Sequence, residues 1–115
     1  MRRRNYKGKC IKKASCKSKD ICRTYDDIQL AFLNLLENDN NIMEIHCNVP
    51  LDDSEYGQYT TDFVCIKANN EFMVRECVFR KLISKPLTVK LLDISRNYWL
   101  KKGITDWGLV ANEEK

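Results

Sequence analysis

The chain has 115 residues, 43% of them apolar and 31% charged, a length and balance that fit one small globular domain and exclude a two-domain enzyme. No run of 18 apolar residues occurs and the basic start at Met1 to Arg4 leads into no apolar segment, so the sequence predicts a soluble, cytoplasmic protein with its six cysteines as thiols. The net charge of +4 hides an asymmetry: residues 1–23 hold ten Lys or Arg against one acid, whereas residues 24–115 hold ten against fifteen.

The basic segment 1–23 lacks an apolar period, contains Gly8 among Ser and Lys residues, and reads as an irregular N-terminal arm. Such an arm suits a polyanion, because each phosphate it neutralises releases counterions. From Asp26, the residues Ile28, Ala31, Phe32, Leu35 and Leu36 recur at helical spacing, with Asp26 and Asp27 placed to cap and favour the helix start and Glu37 to Asn41 ending it. Ile42 to Val49 reads as a strand that ends at Pro50, followed by a polar loop from Leu51 to Gln58. Tyr59 to Lys67 and Phe72 to Phe79 form a predicted hairpin around Ala68-Asn69-Asn70-Glu71, where Asn accepts a positive φ. A second long helix follows, with Pro86 near its start, Leu87, Leu91, Leu92, Ser95, Tyr98 and Trp99 on one face, and Gly103 at the expected C′ position. Ile104 to Val110 gives a last strand.

Asp62 sits in an apolar, β-branched strand, where a carboxylate is costly unless it is paired, hydrogen-bonded or bound to a metal. Glu76, fourteen residues on, interrupts the partner strand, and in a tight hairpin the two carboxylates converge on one end of the sheet. Paired carboxylate oxygens suit Mg²⁺ or Mn²⁺. The competing reading has Arg75 neutralising Asp62. Structural zinc is not expected, since no CxxC pair occurs among Cys10, Cys16, Cys22, Cys47, Cys65 and Cys77, and the last three suit small core positions. His46 reads as a strand residue with a satisfied ring, and Tyr98, Trp99 and Trp107 as helix-on-sheet core before a base-stacking platform.

The order of elements, together with Tyr59-Thr60-Thr61-Asp62, Lys90-Leu91-Leu92-Asp93-Ile94-Ser95-Arg96-Asn97-Tyr98-Trp99, Gly103 and Asp106-Trp107-Gly108-Leu109-Val110, resembles the TnsA family. That family supplies the endonuclease subunit of heteromeric cut-and-paste transposases, and its N-terminal domain has the PD-(D/E)xK restriction-enzyme fold. The resemblance spans residues 24–112 and includes Leu35-Leu36-Glu37-Asn38-Asp39 and Asn48-Val49-Pro50. It implies an α/β, restriction-endonuclease-like core in which about four strands of mixed direction are flanked by two helices. It also implies metal-dependent phosphodiester hydrolysis at a transposon end, with an integrase-type transposase cutting the other strand.

Carried over residue by residue, the family's metal-binding Asp falls on Asp62 and its helix Glu on Gln29, which brings a carbonyl and no charge. The acid-x-Lys motif falls on Arg75-Glu76-Cys77 and matches at neither end, so Glu76 reaches the acid position only through a strand slip or bulge. Lys81, or Arg80, is then the candidate replacement for the lysine. The resemblance thus implies catalytic roles for Asp62, Glu76, Gln29 and Lys81, and metal ligation by Asp62 and Glu76. Arg2, Arg3, Arg4, Lys12, Lys13, Arg80 and Lys85 are expected along double-stranded DNA. The winged-helix domain that the family can use to contact its ATPase regulator is expected to be absent, leaving that regulator as a further candidate partner through this domain. Two other readings stand beside the enzyme: a non-catalytic assembly subunit that keeps the fold to bind DNA and the transposase, and a small DNA-binding protein with no transposase partner.

Overall fold

The computed structural model describes residues 10–18, 21–51 and 59–112. A two-stranded antiparallel ribbon, β1 (Ile11–Lys13) and β2 (Cys22–Thr24), leads into helix α1 (Asp27–Glu37). Then come β3 (Ile42–Pro50), β4 (Thr60–Lys67), β5 (Phe72–Val78), a 3₁₀ turn at Arg80–Leu82, helix α2 (Pro86–Lys101) and β6 (Trp107–Ala111). The main sheet has the order β3-β4-β5-β6, antiparallel except for β5 with β6, so the protein is an α/β domain with a mixed four-stranded sheet and two helices.

Local chemistry accounts for the element boundaries. Asp26 is extended and its carboxylate accepts the Gln29 N–H at 2.9 Å, an N-cap for α1. Asn70 takes φ 69° in the β4–β5 turn, and Gly103 takes φ 85° just beyond α2, where a side chain would be strained. Pro86 opens α2 at a position whose N–H has no helical partner to lose.

The sheet is covered on both faces. On one, Ile28, Leu33 and Leu36 of α1 pack with Ile42, Ile45, Phe63, Cys65, Met73 and Cys77, and Phe32 meets Phe63 edge-on at 5.3 Å. On the other, Leu91 and Trp99 of α2 pack with Leu51, Tyr59, Val64 and Val74, while Leu92 covers Val78. The buried faces differ in detail from those the periodicity predicts: Leu33 and Gln29 replace Ala31 and Leu35 on α1, and Thr88 replaces Leu87 on α2. The segment read as irregular contains the β1–β2 ribbon, because Cys22 and Thr24 alternate with exposed Arg23 and bury their side chains. The last strand begins at Trp107, three residues later than its β-rich pattern suggests.

Trp99 also donates its indole N–H to Thr61 Oγ1 at 2.8 Å within this second core. Trp99→Phe leaves that buried hydroxyl without its donor and opens a gap beside Tyr98, so it is expected to cost roughly 1–3 kcal/mol in urea denaturation. An unchanged unfolding midpoint would remove that bond from the account.

Candidate active site

The β4–β5 ladder runs from Ile66↔Phe72 to Phe63↔Arg75, and one step further Asp62 stands across from Glu76. There the side chains take over from the main chain. The Asp62 N–H donates to Glu76 Oε1 at 2.9 Å, and the Cys77 N–H donates to Asp62 Oδ2 at 2.8 Å, so each strand's amide is held by the other strand's carboxylate. The β4–β5 pairing shows no slip or bulge of the kind that would move Glu76 into the family's acid position, and ordinary alternation along β5 sends Glu76 toward α2.

The irregularity lies on the neighbouring strands. Cys47 of β3 and Phe63 of β4 belong to the α1-side core, whereas Val49 packs with the α2-side core and Thr61 bonds Trp99 of α2. Two residues apart on one strand should share a face, so β3 and β4 both reverse phase here. Asn48, across from Asp62 on β3, takes φ 54°, and its side-chain amide donates to the Arg23 carbonyl at 2.9 Å. The reversal leaves Asp62 reaching α1 and Glu76 reaching α2.

On the α1 side, the Gln29 amide donates to Asp62 Oδ1 at 3.3 Å, while its own carbonyl accepts the Tyr25 N–H at 2.9 Å. On the α2 side, Ser95 donates to Glu76 Oε2 at 2.5 Å and Tyr59 donates to the same oxygen at 3.2 Å. The Trp107 indole N–H in turn donates to Ser95 Oγ at 3.0 Å. Asp62 is 2% and Glu76 0% exposed, and all four carboxylate oxygens accept protein hydrogen bonds.

Burial, reinforced by the negative charge of Asp62, pushes the Glu76 carboxyl up to about 7, against the lowering effect of the Ser95 and Asp62 N–H bonds. Its burial and the Asp62 charge therefore both favour the protonated form. Burial, again reinforced by Asp62, also raises the Cys77 thiol far above its usual range, which suits a core cysteine and not a nucleophile. Cys65 is raised to about 12, chiefly by burial.

Of the expected site residues, Asp62, Glu76 and Gln29 are brought together. Lys81 lies exposed on the 3₁₀ turn after β5, and the donors at the carboxylates include Gln29, Tyr59, Ser95 and two backbone amides. Arg80 binds Asn112 through both its backbone N–H and its guanidinium. Lys85 is exposed at the α2 N-cap. Arg75 turns away to Asp106 at 2.8 Å, an acid it shares with Lys67, so Asp106 and not Asp62 takes its charge. Lys13 is tied to Glu37 and Asn34, Lys12 is exposed on the ribbon, and Arg2, Arg3 and Arg4 lie outside the described residues. His46 is exposed, with its ring 3.2 Å from Glu44.

The two carboxylates, held at cross-strand positions with Asp62 toward α1 and Glu76 toward α2, suit a hard divalent cation in donor type and charge. Their mutual repulsion, visible in the raised Glu76, is what such a cation relieves. Among the described residues no third His, Cys, Asp or Glu joins them, and Glu76 Oε2 is available only when Ser95 and Tyr59 release it. Tyr59 and Ser95 were not foreseen as site residues; Ser95 falls on the apolar face of α2, the one signal pointing to it. No protein-family model matches the chain, and no curated protein is significantly similar to it.

Proposed function

We propose that the chain is a TnsA-like, restriction-endonuclease-fold subunit of a heteromeric transposase that engages double-stranded DNA at transposon ends, with phosphodiester hydrolysis centred on Asp62 and Glu76. The observation that carries this reading is the meeting of Asp62, Glu76 and Gln29 where the β4–β5 ladder opens. The resemblance brings Asp62 and Gln29 to that site and leaves the second acid to Glu76. Asp62 and Glu76 would hold Mg²⁺ or Mn²⁺, which when bound supplies a Lewis acid and an activated water. Gln29 fixes the Asp62 carboxylate, and the Ser95 and Tyr59 hydroxyls fix Glu76, whose proton must leave before the carboxylate can act as a full anionic ligand.

One observation favours a second reading, the non-catalytic assembly subunit: every oxygen of the pair is already satisfied by the protein, and the motif's lysine position is Cys77. Mn²⁺ titration by calorimetry with a short DNA duplex present separates the two, comparing the natural chain with Asp62→Asn. The nuclease reading expects saturable Mn²⁺ binding that Asp62→Asn abolishes. Because the cation competes with the Glu76 proton, affinity should rise up to about tenfold per pH unit below pH 7 and level off above it. DNA binding without Mn²⁺ binding would overturn the nuclease reading in favour of a non-catalytic one, and loss of both would defeat the two together.

A further inference from the structure

The β1–β2 ribbon pairs Lys12 directly with Arg23, so two positive side chains share its solvent face. Like charges opposite one another on a two-stranded ribbon destabilise it. Among the described residues no hydrogen bond or ion pair engages the Lys12 ammonium or the Arg23 guanidinium, whereas the neighbouring Lys13 is bound to Glu37 and Asn34. An arrangement that costs stability in the free protein is relieved by an anion lying across both cations.

The position of the pair says where that anion would lead. A cavity of about 420 Å³ lies between β2 and β3, lined by Ile21, Arg23, Tyr25, Cys47 and Asn48. It adjoins the acid pair on two counts. The Tyr25 N–H holds the Gln29 carbonyl whose amide holds Asp62, and Asn48 is the left-handed residue that stands across from Asp62. A second opening of about 280 Å³ continues from Ile21, Cys47 and Asn48 along β3 to His46 and Pro50. The two openings share Ile21, Cys47 and Asn48, and Arg23 lines the first of them.

We infer that Lys12 and Arg23 form a phosphodiester-binding subsite that seats the backbone of duplex DNA on the β1–β2 ribbon and directs it along the β2–β3 groove beside Asp62. This rests on the DNA-binding part of the proposed function, which names the polyanion. It assigns the positioning cations to the Lys12–Arg23 pair and not to Lys13 on the same ribbon, whose charge Glu37 already neutralises. Arg23 and Lys12 are positioning residues, acting on the backbone and not on the reacting phosphate.

The test is fluorescence anisotropy of a labelled duplex with the full chain across a range of salt concentrations, for the natural protein, Lys12→Gln, Arg23→Gln, the double variant, and Lys101→Gln as a charge-matched control on the distant end of α2. Each ribbon contact should contribute about 0.9 to the slope of log affinity against log salt, and about eightfold in affinity at 0.1 M salt. The double variant should lose both contributions, with Lys101→Gln close to the natural protein. Thermal unfolding supplies the readout that a merely structural role would not give: Lys12→Gln should leave the melting temperature equal or higher while binding falls. Binding by the natural chain with slopes unchanged in the ribbon variants would overturn this assignment and leave the DNA reading standing. No binding by the natural chain, as expected if the ribbon instead meets an acidic protein, would overturn both.

Discussion

Glu76→Gln is expected to make the domain more stable than the natural chain at pH 8 and to flatten its pH dependence between about 4.3 and 7. In the unfolded chain Glu76 titrates near its ordinary value of about 4.3, whereas in the folded domain burial and the Asp62 charge hold it at about 7. Between those values the folded state binds more protons than the unfolded state, so stability falls as pH rises through the window and stays lowered above it. The full cost is on the order of 3 kcal/mol. A glutamine keeps an oxygen for the Asp62 N–H and turns an amide toward the Ser95 and Tyr59 hydroxyls, with no charge to desolvate. Urea denaturation at pH 5, 7 and 8 measures the effect. Parallel profiles for the two proteins would mean that Glu76 is not the group that titrates.

Asp62→Ala is expected to act in the opposite direction, and most strongly at low pH. It strands the Cys77 N–H and the Gln29 amide in a site only 2% exposed, each loss costing roughly 1–3 kcal/mol. It also removes one of the two causes that raise Glu76, returning part of the penalty once the pH passes the Glu76 titration. The destabilisation should therefore be largest near pH 5, at roughly 3 kcal/mol, and shrink toward pH 8. Combined with Glu76→Gln, the substitution should lose that pH dependence, since no charge remains for Asp62 to repel. A double-mutant cycle at pH 8 should then show a coupling above about 1 kcal/mol. Strict additivity would show that the carboxylates do not sense each other.

The sequence carried more of the frame than of the chemistry. Element boundaries were legible because they depend on single residues in single conformations: Asp26 capping α1, Pro86 opening α2, Gly103 ending it and Asn70 turning the hairpin. The meeting of Asp62 with Glu76 was legible too, as the arithmetic of a hairpin whose turn is fixed by Asn69 and Asn70. The partners of those acids were not. Whether Ser95 faces a carboxylate or an apolar side chain depends on how α2 is rotated over the sheet, and periodicity fixes the buried face only to within a residue or so. The phase reversal at Asn48 and Asp62 breaks the period-two rule itself, so alternation could not predict it. The ribbon escaped notice because strands of three residues in a Lys-rich segment leave too short a pattern.

The parallel pairing of β6 with β5 has a consequence for the order in which the domain is made. Strands β3, β4 and β5 are neighbours in both sequence and space, so this antiparallel meander can form while the rest of the chain is still emerging during synthesis. Strand β6 can dock only after the whole of α2 has crossed back over the sheet. Until that crossover closes, Glu76 lacks Ser95, and Ser95 lacks Trp107. The side chain then keeps the Asp62 N–H but is open to water on the side that α2 will cover. Closure of the second layer desolvates Glu76 beside Asp62 and raises its carboxyl, so the final packing step is linked to proton uptake.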